Sequence, residues 1–516
     1  MLKGNVKSTY TKLEGKRFSY LSRARDCSRL TIPTVMPDEG STTDKRFTTP
    51  WQSVGARGVN NLSSALLLSL LPPNSPFFRL VVDEAAIRKL QGVDPRIKSE
   101  IERAMSERER LVMREVEIKA VRVAAFEAIK QLIICGNVGL YFPTDGGNLR
   151  VIRLDRYVVK RGASGNVLTV ILQECISGSM LTPELRTLLS KDEDSDMDDV
   201  DVYTCINYLP EGKVEIWQEV KDTVVAGSYG IFEESKSPFL ALRMVRVDGE
   251  DYGRGYVEQY IGDLKSLEAL TQVIVEGAAA ASKVLFLVNP NGTTKASTLA
   301  KAPNGAIREG NAADVTVLQT GKQADFATAL QTINTISERL SYAFLLTEAS
   351  IRNAERVTAE EVRLVTQSIE RQLGGIYSLL SQEFQLPLVY KIMDQMEREK
   401  RLPKIPKKFV TPAIITGIEA LGRGNDLNRL DSYLAGIGQL LGPEAIQKYV
   451  DVREYLTRRA AALGIETTGL VKTEEQLNSE QQAMMQQASM QQALPAITSA
   501  ATGAMSRNLQ GSQQQG

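Results

Sequence analysis

The chain has 516 residues, too many for one simple core, and its 43% hydrophobic and 24% charged content is that of an ordinary folded protein. Its 62 Lys and Arg balance 62 Asp and Glu, which argues against a protein that coats nucleic acid regardless of sequence. Histidine is absent, so Ser-His-Asp triads, H-E-x-x-H zinc sites and any histidine general base are excluded.

Residues 1–80 read as helices broken by Pro33, Pro37 and Pro50. Val54, Leu62, Leu66 and Leu70 recur at helical spacing, with Thr49 as the expected cap and Pro50 in the first turn. A further helix is predicted from about Asp94 to Cys135, its early turns densely charged. From Gly139 to about Val247 the period changes to that of short strands separated by Gly and Asn turns. The predicted strands are 138–142, 149–154, 157–160, 167–173, 202–208, 213–219 and 240–245. The acidic run Asp192 to Asp201 interrupts them and reads as a solvated loop. As a calcium loop it lacks the glycine and the final glutamate, with Met197 and Tyr203 in their places.

Tyr256 to Ser282 predicts a helix with heptad rows Val257, Leu264, Thr271, Ala278 and Tyr260, Leu267, Ile274, Ala281. A turn-rich insert follows, with strands expected at 284–288, 306–308 and 315–318. Ala324 to Leu346 returns as a second helix, with Phe326, Leu330, Ile333, Leu340 and Phe344 on one stripe. At about 1.5 Å per residue the two helices reach about 40 and 35 Å, so they match as a hairpin carrying a small β module at its tip. An ordinary buried helical pair fits the same periodicity.

A polar loop over 347–356 contains Arg352 and Arg356. Thr358-Ala-Glu-Glu361 then has the form of a capping box opening a helix to about Lys400, with kinks expected at Gly374-Gly375 and Pro387. Pro403, Pro406 and Pro412 form a break before a smaller helical unit from Thr416 to about Leu463. The stretch from Glu474 to Gly516 is rich in Gln and poor in strong hydrophobes, so it reads as marginally helical or disordered. The fold class expected is α+β, predominantly α.

Few patterns point to chemistry. Cys27, Cys135, Cys175 and Cys205 contain no C-x-x-C pair, so neither a zinc site nor a disulfide framework is indicated, and reduced thiols suit a cytosolic compartment. Met1 to Tyr10 is polar and lacks the apolar stretch of a signal peptide. The longest apolar run, Ala65 to Leu71, stops at Pro72-Pro73 and is too short for a membrane span. No Gly-Lys pair sits in a P-loop, and Gly253-x-Gly255 and Gly422-x-Gly424 read as turns. No catalytic, metal-ligating or cofactor-binding residue is expected, and no cofactor.

Many blocks in order resemble the portal (head-to-tail connector) proteins of autographivirus-type short-tailed bacteriophages. They include Thr49-Pro-Trp-Gln-Ser-Val-Gly-Ala-Arg-Gly-Val-Asn-Asn61, Gly136-Asn-Val-Gly-Leu-Tyr, Arg243-Met-Val-Arg-Val-Asp-Gly-Glu250 and Gly262-Asp-Leu-Lys-Ser-Leu-Glu268. Later blocks are Lys322-Gln-Ala-Asp-Phe326, Glu355-Arg-Val-Thr-Ala-Glu-Glu361 and Leu373-Gly-Gly-Ile-Tyr. The resemblance runs over about residues 10 to 475.

It implies a structural, non-enzymatic ring of twelve copies at one capsid vertex, a conduit for genome packaging and ejection. The implied parts are a wing (1–255 and 357–411), stem helices (256–282 and 324–346), a clip (283–323), a tunnel loop (347–356) and a crown (412–470). Residues 471–516 form either a barrel or a disordered tail. The implied partners are the chain itself, the major capsid and scaffold proteins, the terminase motor, a tail adaptor, internal core proteins and double-stranded DNA, with no membrane. Assembly would occur in the bacterial cytoplasm and the product would reside in the virion. Arg352 and Arg356 would line the channel and brake or centre DNA, unless they pair with Glu348 or Glu355. Lys283, Lys295, Lys301, Arg308 and Lys322 would meet an acidic partner surface on the clip or simply solubilise its edge. A metal-dependent packaging nuclease and a monomeric head or adaptor protein are the alternatives.

Overall fold

The structure, a computed structural model, describes residues 5–40, 46–73, 76–82, 95–143, 146–177, 199–281, 285–318, 323–346, 373–402, 410–414, 422–442 and a few positions in 450–459. The chain divides into two compact units, Met1–Ala420 and Leu421–Gly516.

In the first unit, helix α1 (Val6–Arg29) precedes α2 (Val54–Leu70), strand β1 (Phe78–Val82), α3 (Pro95–Ile118) and α4 (Val121–Cys135). Strands β2 (Asn137–Tyr141), β3 (Arg150–Ile152), β4 (Tyr157–Arg161), β5 (Val167–Ile176), β6 (Val200–Leu209) and β7 (Lys213–Val220) follow. The run closes with β8 (Thr223–Val224), β9 (Gly230–Glu233) and β10 (Phe239–Arg243). The expected strand region is therefore present, and every neighbouring pair in it is antiparallel. One sheet has the order β4-β5-β6-β7, with β8 and β9 sharing the free edge of β7, and a second has the order β10-β2-β3.

Alternation along the strands explains why the large sheet is covered on both faces. Tyr157, Val159, Val170, Leu172, Ile206 and Val214 face the main core with α2 and α4. Val158, Ile171, Tyr203, Cys205 and Trp217 face the other way, onto Val6, Tyr10 and Leu13 of α1. The buried Glu219 fixes this helix by accepting the Val6 amide at 3.0 Å and the Trp217 indole at 2.7 Å. A carboxylate at a helix N-terminus answers both the unpaired N–H groups and the dipole. Arg17, also buried, donates to the carbonyls of Leu154 and Tyr157 at 3.0 and 2.7 Å.

Several expectations need correction. The helix predicted from Asp94 to Cys135 is two helices, because Ala120 takes a left-handed conformation (φ 48°) and breaks the hydrogen-bond ladder between α3 and α4. Helix α2 starts after Ser53, so neither Thr49 nor Pro50 opens it. Strand β1 was not expected, nor was β13 (Val410–Ile414), its antiparallel partner, in which Pro412 faces Leu80. Proline is tolerated there because the two-stranded sheet makes both strands edges. At Pro387 the helical residues 373–380 widen into a π turn (Ser381–Gln385) before α8 (Leu386–Arg398). The wider turn accommodates a ring that would otherwise meet the carbonyl four residues back. In the second unit, Gly422-x-Gly424 opens helix α9 (Gly422–Leu441) and forms no turn.

Candidate functional site

From Tyr256 the chain enters a 3₁₀ turn (Val257–Tyr260) and then α5 (Ile261–Ala281). Beyond the tip module it returns as α7 (Gln323–Ala343), which packs against α5. Two contacts fix the antiparallel alignment. Near the body Arg339 Nη2 donates to Asp263 Oδ1 at 2.8 Å, and near the tip the Phe326 ring lies against Gly277. A Cβ on Gly277 would come within 2.7 Å of that ring, so the glycine lets the helices approach.

The heptad rows are buried only at the root. Leu264, Leu267, Ile336 and Leu340 join the main core, whereas farther out Val273 is 58% exposed and Leu330 53%. Leu330 is thus not inward, as its stripe suggested, because the distal half has only the partner helix beside it. Tyr256, Tyr260 and Phe344 form an aromatic cluster at the root, and the Tyr256 hydroxyl donates to the Ala343 carbonyl at 2.9 Å. Burial pushes the Tyr256 phenol well above its usual range.

Helix α2 and the residues just before it brace both roots. The Glu268 carboxylate of α5 accepts the Trp51 and Gln52 amides at 2.9 and 3.2 Å. Asn61 Nδ2 donates to the carbonyls of Phe344 and Leu345 at 3.1 and 3.0 Å, where α7 ends with Leu345 left-handed (φ 58°).

At the tip, β11 (Leu285–Val288) pairs antiparallel with β12 (Val315–Leu318), and the short helix α6 (Ala296–Ala300) lies between them in sequence. Residues 306–308, predicted as a strand, form none. Asp314 holds the module together, accepting the Thr294 amide at 3.1 Å and the Thr293 hydroxyl at 3.2 Å. Those donors keep its carboxyl below the usual range. Gly292 leaves the room that Asp314 needs. Phe286 and Leu287 are exposed, and Ile307 is 98% exposed.

Of the residues singled out from the sequence, Lys295, Lys301 and Arg308 all lie exposed on this module. Lys283, Lys322, Arg352 and Arg356 lie outside the described residues, as do the capping box at Thr358 and most of the acidic run. No local pattern marks Asn61, which ends the stretch Thr49–Asn61, and Gly277 carries no signal beyond being a glycine in a heptad. Among the described residues no group of three or more His, Cys, Asp or Glu stands together to hold a metal. No described helix is long and apolar enough to cross a membrane. None of the four cysteines is in a disulfide, and burial pushes the Cys27 thiol up to about 12.

The family model for the bacteriophage head to tail connecting protein matches residues 3–471. The chain belongs to this connector family. The portal protein of Enterobacteria phage T3 is 41% identical over 487 residues, covering 93% of this chain and 90% of its own length. That of Escherichia phage T7 is 40% identical over 489 residues with the same coverage, and that of Enterobacteria phage SP6 is 29% identical over 515. Among solved structures, the neck of an empty gene transfer agent particle aligns over 80% of this connector chain at 12% identity. Its TM-score is 0.38, too low to establish a shared fold. The resemblance read from the sequence blocks is thus that of a true family member.

Proposed function

We propose that this connector protein is the non-enzymatic subunit of a portal ring, expected in twelve copies, through which double-stranded DNA is packaged and ejected at one capsid vertex. The observation that carries the reading is the projecting hairpin with apolar side chains on its outer faces. Val273, Val275, Leu330 and Tyr342 stand exposed on α5 and α7, and Phe286, Leu287 and Ile307 at the tip. Each is worth about 1.5–3 kcal/mol when fully buried, so the isolated hairpin leaves a large driving force unused. Copies of the same hairpin packed around an axis satisfy it, since heterologous contacts close into a ring when the rotation closes.

In that assembly α5 and α7 are the stem and 283–323 the clip, facing first the terminase motor and then the tail adaptor. Lys295, Lys301, Arg308 and Lys322 are the clip's candidate docking charges. The body (1–255 with 357–411) is the wing, set in the capsid, with scaffold and internal core proteins as assembly partners. Residues 347–356 are the tunnel loop, 412–470 the crown and 471–516 the terminal tail. Arg352 and Arg356 would form charged rings beside DNA phosphates, which recur about every 1.7 Å along the duplex. Overall neutrality suits a channel in which DNA must slide.

The test is native mass and negative-stain imaging of the purified chain. An annular particle many times 56.8 kDa supports the ring, and a monomer stable across concentration, even with scaffold protein added, counts against it. For the tunnel loop, rings carrying Arg352→Ala and Arg356→Ala that package and retain DNA normally would remove those residues from the reading.

A further inference from the structure

Both ends of the helical hairpin are held to the body by a side-chain carboxamide acting on the backbone. At the outgoing root, Asn137 of β2 pairs reciprocally with Gly253: its Nδ2 donates to the Gly253 carbonyl at 2.8 Å, and its Oδ1 accepts the Gly253 amide at 2.7 Å. The same Nδ2 also reaches the Cys135 carbonyl at 3.2 Å. Both oxygen and nitrogen are committed, so the orientation of this amide is set by its partners. At the returning root, Asn61 Nδ2 bridges two consecutive carbonyls, those of Phe344 and Leu345, where α7 has run out of its own donors.

The surroundings leave neither root room to pivot. Around Asn137 the backbone of 134–136 lies directly on that of 253–255. A Cβ on Gly255 would stand 2.5 Å from the Ile134 carbonyl oxygen, and one on Gly253 would stand 2.9 Å from that of Gly136. Arg254, between those glycines, pairs with Glu250 at 2.6 Å and Glu258 at 3.0 Å, and Arg23 of α1 reaches Glu258 at 3.2 Å. Around Asn61, Gly58 is pressed against the Phe344 ring, where a Cβ would stand 2.6 Å from Cγ. Side-chain flexibility cannot absorb a rotation where backbone meets backbone.

We infer that Asn61 and Asn137 are positioning residues that hold the hairpin at a fixed angle to the body, so that the two move as one piece and bending is confined to the outer, singly packed half. This concerns a single chain and stands whether or not the chain forms a ring. It deepens the proposed function in one respect: a subunit whose stem cannot swivel presents its neighbour with one interface geometry rather than a range.

The experiment places spin labels on the exposed Cys175 of β5 and on a cysteine introduced at the exposed Lys301 of the clip, in the full chain, diluted with unlabelled protein. The width of the intramolecular distance distribution is measured for the parent chain, Asn61→Leu, Asn137→Leu and the double variant. The expected result is a broader distribution in each variant and the broadest in the double variant. Amide exchange at Phe344–Leu346 in Asn61→Leu should also rise about tenfold, the effect of losing two hydrogen bonds locally, with no change in β5–β7. An unchanged width in Asn61→Leu, or exchange rising equally in β5–β7, overturns the inference. Asn61 is half-buried on α2, so Asn61→Leu keeps the test valid should Asn137→Leu fail to fold. Absence of rings in the parent chain would count against the portal reading and leave this measurement intact.

Discussion

Gly277 on α5 leaves open the space in which the Phe326 ring of α7 lies, with 2.7 Å between that ring and the position a β-carbon would occupy. The outgoing and returning helices are therefore in close contact near the tip, beyond the body's core. Glycine inside a helix costs about 1 kcal/mol against alanine, so close packing rather than propensity accounts for it here. Gly277→Val should splay the outer hairpin and lower the thermal midpoint of the chain. Adding Phe326→Ala should recover part of the loss, giving a less than additive pair by calorimetry.

The exposed apolar faces make a sharper prediction about assembly. Val273→Asp with Leu330→Asp places charge where neighbours would pack, on residues that contribute nothing to the main core. The double variant should keep the circular dichroism and melting of the parent subunit while its native mass falls from ring to monomer. A ring of undiminished yield would move the interface elsewhere on the chain.

Arg17 tests how α1 is fastened to the large sheet. Its guanidinium is almost fully buried and serves the Leu154 and Tyr157 carbonyls, the Tyr10 hydroxyl and Glu14. Arg17→Met keeps the apolar stem but leaves two buried carbonyls without a donor. We expect a loss of about 2–5 kcal/mol by urea denaturation, at the level of a broken buried polar network.

Lys391 sets a pH dependence. Burial lowers its ammonium to about 8, although it donates to the Ser237 carbonyl and lies over the Phe142 ring. With the folded pKa below the unfolded one, the unfolded chain binds more protons between about pH 8 and 10. Stability should therefore rise with pH across that window, by up to about 1 kcal/mol per pH unit, and show no dependence from this group below it. Lys391→Met should flatten the slope between pH 8 and 9.5 in denaturation experiments.

The capacity to form each element was written locally. Alternation gave seven of the nine described strands from Asn137 to Arg243, missing the short β8 and β9, and heptad rows gave α5 and α7, because backbone periodicity is imposed within a few residues. Ordered blocks of residues gave the family. What local pattern could not give was partnership. β1 and β13 lie far apart in sequence, and nothing in Phe78–Val82 or in a proline-rich stretch announces that they pair. Leu330 and Leu340 share a stripe, yet one is exposed and the other buried, since burial depends on where the body ends. The pairing of Asn137 with Gly253 likewise arises from packing across the chain. The sequence by itself determined the helices, the strands and the kinship; only the tertiary structure decided which apolar faces stay uncovered and which side chains hold the hairpin. Those outcomes depend on surfaces brought together from distant segments, and a period of two or of 3.6 residues carries no information about them.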